Sequence, residues 1–243
     1  MKSIFVHMGT EYRFESTSQR FVQGGAFECS LHLKNRGTSS QSYSSVVLAL
    51  RSAAKGKEVT EELLRAEVGD LPWRLDAGQE RKVVWRALLP ANCPLGEKGS
   101  ELAFVFGADE SALQRMPVVV EMHPSLAKLA RLLETLHQFP FKGAKSAKGW
   151  TELKFKPSES SRFSTVEDLL LGGQFVEEGL ELRWKFKVKK FSATSTSLSV
   201  GKVASELRQT VTAKDLQSWE SSHDDRVVLN YIEAALAEVA SGF

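Results

Sequence analysis

The chain has 243 residues, 42% hydrophobic and 26% charged, an ordinary globular composition with room for one large domain or two modest ones. Its formal net charge of +2 is too small to indicate nucleic-acid binding by itself. No apolar run reaches the roughly 18 residues of a membrane-spanning helix, and the apolar run near the N-terminus is shorter than a signal-peptide core. We therefore expect a cytoplasmic protein.

Period-two alternation dominates the first half of the chain. Phe27, Cys29 and Leu31 alternate with polar residues, as in a half-buried strand. Further strand-like runs cover residues 46–50, 83–89, 102–106 and 117–122. Turn signals separate these short runs, a pattern typical of a β-sandwich.

Residues 60–68 are the exception in this half. Thr60 can cap a short helix whose first turn holds Glu61 and Glu62. We therefore predict a helical insertion between strands.

A longer helix is predicted near the middle of the chain. Pro124 suits the first helical position, and apolar residues repeat at helical spacing from Leu126 to Leu136. Pro140 ends the pattern, and the next segment is rich in glycine and lysine. We predict an N-terminal β-sandwich at 1–122, a helix and linker at 123–149, and a C-terminal β-sandwich with a terminal helix at 150–243.

The second half repeats the strand pattern. An apolar run at 166–171 is predicted to end at Gly172-Gly173, and the strongest alternation follows at 180–189. A shallow or edge strand is predicted at 194–200. The final helix is predicted at 224–240 with Asp224 as its cap.

The two cysteines, Cys29 and Cys93, lie in apolar, strand-like contexts without metal-ligand spacing. We expect two buried thiols, with a disulfide left open. A low cysteine count agrees with a reducing compartment.

Three local patterns carry a family resemblance. The letters FVQGG at 21–25 place a glycine turn before the first clear strand. The letters WRLDAGQE at 73–80 lead into a strand that ends at Pro90 and is followed by Pro94. The letters GWTELKFKP at 149–157 open the second half after the central helix. Together these patterns resemble the bacterial sporulation-control family, whose members have an arrestin-like fold.

The resemblance implies a mostly β protein with two tandem antiparallel, arrestin-like sandwiches. It also implies a non-catalytic adaptor or regulatory scaffold that binds a protein partner and needs no cofactor. A fold does not determine a function, so these implications are expectations about the site as well as the architecture.

The chain lacks the motifs of common catalytic sites. It has no phosphate loop, no G-x-S-x-G elbow and no H-E-x-x-H pair. No two histidines lie at the helical spacing of a metal site; they are His7, His32, His123, His137 and His223. Adjacent carboxylates such as Glu177-Glu178 suit a solvated surface. We expect no catalytic residue, no metal and no cofactor.

The strand at 180–189 offers the best candidate surface. Leu182, Trp184 and Phe186 are predicted to face the core, while basic residues two apart project about 7 Å from one another on the other side. The candidate partner-binding residues are Arg183, Lys185, Lys187, Lys189 and Lys190. Five more lysines are expected in the same domain: Lys142, Lys145, Lys148, Lys154 and Lys156.

This basic row has several interpretations. It can be a solvated face or a guard against edge-to-edge aggregation. It can dock an acidic protein or, as the alternative, an anionic membrane surface. Nucleic acid is least favoured, because the aromatic residues of this strand point toward the core. The acidic C-terminal segment could also cover the row within the molecule; its acids are Asp215, Glu220, Asp224, Asp225, Glu233 and Glu238.

Overall fold

A computed structural model describes residues 1–54, 60–96, 100–108, 113–158, 163, 165–193, 198–221 and 225–241. The chain divides into two compact units, Met1–Glu121 and Met122–Phe243. No helix in these ranges is long and apolar enough to cross a bilayer.

The first unit consists of strands. They are β1 (Lys2–His7), β2 (Thr10–Ser16), β3 (Arg20–Val22), β4 (Ala26–Asn35), β5 (Gln41–Tyr43), β6 (Val47–Ala54), β7 (Thr60–Arg65), β8 (Trp73–Leu75), β9 (Glu80–Leu88), β10 (Ser100–Gly107) and β11 (Gln114–Glu121). One sheet has the order β1-β2-β4-β9, another has the order β3-β11-β10-β6-β7, and β5 pairs with β8.

The core of the first unit lies between its two large sheets. Phe14 of β2 stacks on Phe106 of β10 with ring centroids 4.9 Å apart, and it also contacts Phe104 at 5.1 Å. The predicted inward face of β4 is buried, with Leu31 fully inaccessible. A β-sandwich in this half of the chain is therefore confirmed.

The predicted helix at 60–68 is wrong, because residues Thr60–Arg65 form β7 and pair antiparallel with β6. The two glutamates that suggested a helical first turn have a different role here. Glu62 accepts hydrogen bonds from Arg51 on the neighbouring strand and from Arg65 on its own strand. These cross-strand contacts stabilise pairing at the sheet edge, which overrides a weak local helix preference.

The second unit contains α1 (Pro124–His137), β12 (Phe141–Ala147), β13 (Trp150–Phe155), β14 (Val166–Val176), β15 (Gly179–Ala193), β16 (Leu198–Thr212), α2 (Ala213–Ser221) and α3 (Arg226–Ser241). Its strands form one antiparallel sheet in chain order, from β12 to β16. Segment 123–149, interpreted from the sequence as a helix and linker, contributes α1 and the edge strand β12 to this unit.

Helices cover one face of this sheet. Leu129 of α1, Trp184 of β15 and Ile232 of α3 are fully buried in the same apolar cluster. The sequence analysis expected a second facing sheet here, but in the described residues the opposing layer is helical. The predicted central and C-terminal helices are confirmed, although Asp224 lies outside the described residues. The predicted mostly β, antiparallel class is confirmed as well.

Gly172 and Gly173 do not end β14 as the sequence suggested, because the strand continues through them to Val176. A Cβ atom on Gly173 would lie 2.5 Å from Cδ2 of Leu126 in α1. A Cβ atom on Gly172 would lie 3.0 Å from Cε3 of Trp150 on the opposite face. The glycines therefore allow close packing on both sides of the sheet and do not mark a turn.

Cys29 and Cys93 are free and buried, which confirms the expectation of two buried thiols. Burial raises the pKa of each thiol to about 12. Because the thiolate is the reactive form, both cysteines are inert in the folded unit.

We predict that Gly173→Ala destabilises the second unit. Leu126 is fully buried and cannot move away from the added methyl group, so the free energy of unfolding should fall by about 1–3 kcal/mol. Gly69→Ala is the control, since no atom lies within 4 Å of the added carbon there. Denaturant unfolding measures both; equal midpoints for the two variants would contradict the packing argument.

Candidate functional site

Within the described residues, the helices of the second unit leave one face of its five-stranded sheet uncovered. Along β15, Trp184 and Phe186 are buried under the helices, while Lys187 and Lys189 are exposed. We call this uncovered side the outer face. It carries Lys145, Trp150, Glu152, Lys154, Asp168, Leu170, Arg183, Lys185, Lys187, Lys189, Glu206 and Arg208.

The outer face contains a concavity of about 720 Å³. Register shifts occur in β12 before Gly143 and in β14 before Asp168, and both residues line the concavity. Such bulges bend a strand and increase its twist, which curves the sheet. One row of residues crosses the curved region: Gly143, Lys154, Leu170, Lys185 and Glu206. Leu170 is thus an apolar centre between two lysines.

A second row, adjacent to the first, holds a partly buried ion-pair cluster. The Glu152 side chain is only 11% exposed, and its carboxylate lies 3.0 Å from Nη2 of Arg183 and 3.1 Å from Nζ of Lys145. The Arg183 guanidinium lies 4.5 Å from the centroid of the Trp150 ring. Gly172 separates Glu152 from Arg183 in the register, and its missing side chain leaves the space that this stacking occupies.

The carboxylate of Glu206 neutralises part of the basic surface. Glu206 lies 3.4 Å from Lys185 and 3.3 Å from Arg208. Burial raises the pKa of Glu206, but hydrogen bonds from Arg208 and Lys185 outweigh this effect and keep the pKa below its usual value.

The basic residues of β15 and β16 also act on the carboxylate of Glu167 in β14. The hydrogen bond from Lys202, at 2.8 Å, is the main reason that the pKa of Glu167 is lowered. The charges of Lys187 and Lys189 lower it further. A carboxylate near these lysines is therefore held in its ionised form.

Three cations on the outer face, Lys154, Lys187 and Lys189, form no direct ion pair among the described residues, although Glu167 interacts with Lys187 and Lys189 at longer range. Lys154 and Lys187 also line the concavity beside Leu170. The carboxylates of Glu152 and Glu206 are already engaged with other basic groups. The concavity thus combines an apolar centre with positive charge that is available to an incoming anion.

The predicted site residues do not all have the same environment. Arg183 and Lys185 form direct ion pairs, whereas Lys187 and Lys189 are exposed and interact with Glu167 only at longer range in the described part of the chain. Lys190 belongs to β15, but its side chain lies outside the described residues. The sequence analysis did not identify Leu170, Glu152 or Trp150 as parts of this surface. Only their positions in neighbouring strands bring them beside the basic row.

The acidic C-terminal segment does not neutralise the basic row in the described residues. Asp225 lies 2.9 Å from Nζ of Lys128 and 3.2 Å from Nη2 of Arg131, both in α1. Asp215 accepts a hydrogen bond from the hydroxyl group of Tyr231. Asp215 and Asp225 therefore stabilise contacts among the helices, while the side chains of Glu220 and Asp224 lie outside the described residues.

Histidine positions do not indicate a metal site within the described residues. No group of three or more histidine, cysteine, aspartate or glutamate side chains there could hold a metal ion. His123 caps α1 by accepting from the Ser125 amide, and His32 lies 2.7 Å from Glu80 on the first sheet.

Comparisons with known proteins give one informative likeness. No family model and no curated protein matches the sequence. The structure is similar to that of Spo0M, the sporulation control protein of Bacillus subtilis, with a TM-score of 0.62, 16% identity, and coverage of 95% of this chain and 98% of that chain. This likeness confirms the predicted resemblance to the sporulation-control family at the level of the fold, and with it the mostly β, arrestin-like fold class.

Two β-glucosidases also match over part of the chain. EmGH1 of Erythrobacter marinus has a TM-score of 0.31 and 15% identity over 49% of this chain and 16% of that chain. An enzyme from Listeria innocua has a TM-score of 0.32 and 14% identity over 47% and 16%. At these TM-scores the matches carry no argument about fold or function.

We predict that Glu152→Gln destabilises the second unit more than Glu206→Gln does. The first change leaves Arg183, whose side chain is 18% exposed, without its counter-ion, at a cost of about 1–3 kcal/mol. Glu206 is 40% exposed, so its loss should change the free energy of unfolding by less than about 1 kcal/mol. Denaturant unfolding compares the two variants, and a larger effect of Glu206→Gln would refute the assignment.

Proposed function

We propose that this chain is a non-catalytic, cytoplasmic adaptor or regulatory protein that binds an acidic segment of a protein partner on the outer face. The main support is the concavity that Lys154, Leu170 and Lys187 line together, because neither lysine forms a direct ion pair among the described residues. An adaptor needs such an accessible and pre-formed surface more than it needs reactive groups.

The chemistry of the concavity favours a polypeptide with both acidic and apolar side chains. An apolar side chain of the partner can cover Leu170 and the aliphatic parts of the lysines. Flanking carboxylates can then pair with Lys154 and Lys187, which are not engaged by acids of the outer face. Rim charges of this kind chiefly steer association and set specificity.

The concave shape favours a protein over a membrane surface, which is the alternative partner. A bilayer presents a broad plane of anionic headgroups, and exposed basic residues on a convex or flat face suit it best. On the outer face, Glu152, Asp168 and Glu206 lie among the lysines and would face the same headgroups. A membrane function therefore becomes an outcome that the experiment must distinguish.

The fold supports a regulatory role only by analogy. The similar protein Spo0M is described as a sporulation control protein, and no enzymatic role is part of that description. Because one fold serves many functions, the surface of this chain has to carry the proposal.

We predict that the double variant Lys154→Glu/Lys187→Glu loses the partner. Each substitution replaces a positive charge with a negative one, so the two together make the surface more negative by four charge units. The surface then repels an acidic segment, and binding should weaken by at least about tenfold. The measurement is a crosslinking pull-down from native cells with quantitative mass spectrometry. Lys214→Glu is the matched control, because Lys214 is an exposed lysine on α2 and not on the outer face.

A defined probe complements the pull-down. Fluorescence anisotropy with a labelled peptide of alternating glutamate and leucine should show binding that weakens with salt, and a lysine–leucine peptide should not bind. Co-sedimentation with phosphatidylglycerol vesicles tests the membrane alternative. An unchanged partner set for the double variant would contradict the proposal. Salt-sensitive vesicle binding without any lost protein would replace the partner with a membrane.

A further inference from the structure

Among the described residues, β1 is an edge strand of the four-stranded sheet β1-β2-β4-β9 and pairs with β2 alone. Met1 and Ser16 exchange two backbone hydrogen bonds, and β1 pairs with β2 without a register shift from Lys2 to His7. In an antiparallel ladder such pairs alternate, so Ser3, Phe5 and His7 direct their amide and carbonyl groups toward β2. The backbone groups of Ile4 and Val6 therefore point away from the sheet, toward the free edge.

The same edge exposes apolar side chains. Phe5 packs inward against Tyr12 with ring centroids 4.6 Å apart, so the residues on either side of it face outward. Ile4 is 53% exposed and Val6 is 62% exposed, and Met8 in the following turn is 82% exposed. This strip has both unused backbone groups and an uncovered apolar surface.

Other edge strands of this unit carry protective features that β1 lacks. Strand β7 has a register shift against β6 and charged residues such as Glu62. Strand β9 exposes Arg86, and β3 has only three residues. Proteins commonly use short strands, charges and bulges to prevent edge-to-edge pairing. Strand β1 has six residues, no register shift against β2 and an apolar centre.

The charges beside β1 permit a second copy to approach. Glu15 pairs with Lys2 at 3.0 Å, and Glu11 pairs with Arg36 at 2.7 Å. Arg13 pairs with Glu80 at 3.0 Å. Because the acids and bases of the neighbouring strand already neutralise one another, two copies meet with matched, apolar strips and without like-charge repulsion.

We propose that β1 pairs antiparallel with β1 of a second copy of this chain, which joins the two four-stranded sheets into one continuous sheet. A register with Ile4 opposite Val6 of the second copy brings the outward backbone groups together. It also places isoleucine against valine on the outer side, and it keeps the two Lys2 side chains at opposite ends of the interface. This proposal is independent of the outer face of the second unit.

Sedimentation velocity over a range of concentrations tests the pairing. The wild-type chain should show a reversible monomer–dimer equilibrium, and Val6→Lys should raise the dissociation constant by at least about tenfold. Val84→Lys is the matched control: Val84 is a 48% exposed valine on β9 of the same sheet, and its variant should dimerise as the wild type does. Circular dichroism and thermal unfolding check that each variant is folded.

A second variant separates backbone pairing from hydrophobic contact. Val6→Pro removes an amide that points away from β2, so the intramolecular ladder keeps its bonds while the symmetric dimer loses two, one from each copy. In the third arm, Ile4→Cys protein is mixed with Val6→Cys protein under oxidation, and the hydrogen-bonded pair distance of about 5.5 Å permits a disulfide. The native cysteines are buried and do not compete.

Three outcomes of these experiments can be distinguished. Loss of dimer in both Val6 variants, together with crosslinking in the mixture, supports the proposal. A monomer at every soluble concentration overturns it. A dimer that Val6→Lys and Val6→Pro leave unchanged also overturns it, because the contact must then lie elsewhere.

Discussion

A strand that is buried on one side only must separate its apolar side chains from its charged ones, and β15 does this in the middle of the second sheet. Leu182, Trp184 and Phe186 enter the helical layer, while the residues between them remain on the outer face. The neighbouring strand β14 is adapted to this division. Its Gly173 admits Leu126 from the helical side, and its Gly172 admits the Trp150–Arg183 stack from the other side. The helices, the glycines and the charge pattern are thus consequences of a single alternating strand.

The charges of the outer face serve two different purposes. The charges in the row through Glu152 form ion pairs and a cation–π contact within the protein, which hold Lys145, Arg183 and Trp150 in place. The charges around Leu170 are less engaged, because Lys185 pairs with Glu206 while Lys154 and Lys187 form no direct ion pair within the described residues. The row through Glu152 is therefore held by contacts within the protein, and the adjacent row through Leu170 can release bound water to a partner. Such a division lets a surface be stable without a partner and still be available to one.

Much of the fold could be predicted from periodicity, because side-chain alternation and helical spacing report directly on burial. The inward residues of β4 and β15 and the apolar face of α1 were identified in this way, except for Leu136, which was predicted to belong to that face and is 57% exposed. The errors arose where a residue type has two physical uses. Glu61 and Glu62 suit a helix start as well as an edge strand, and only the contact with Arg51 decides between them. Gly172-Gly173 suits a turn as well as close packing, and only the approach of Leu126 and Trp150 decides. The basic row was visible in the sequence, but the concavity depends on bulges at Gly143 and Asp168 and on three other strands, which no local pattern reveals.

The position of the two cysteines has an experimental consequence. Cys29 and Cys93 both belong to the first unit and are shielded from solvent, while the second unit contains no cysteine. A thiol reagent added to the native protein would thus be consumed only when the first unit opens. Tryptophan fluorescence reports on both units, because Trp73 and Trp85 lie in the first unit and Trp150, Trp184 and Trp219 lie in the second. A thiol reaction that does not follow the whole fluorescence change would therefore show that the two units open at different times, without any label being attached.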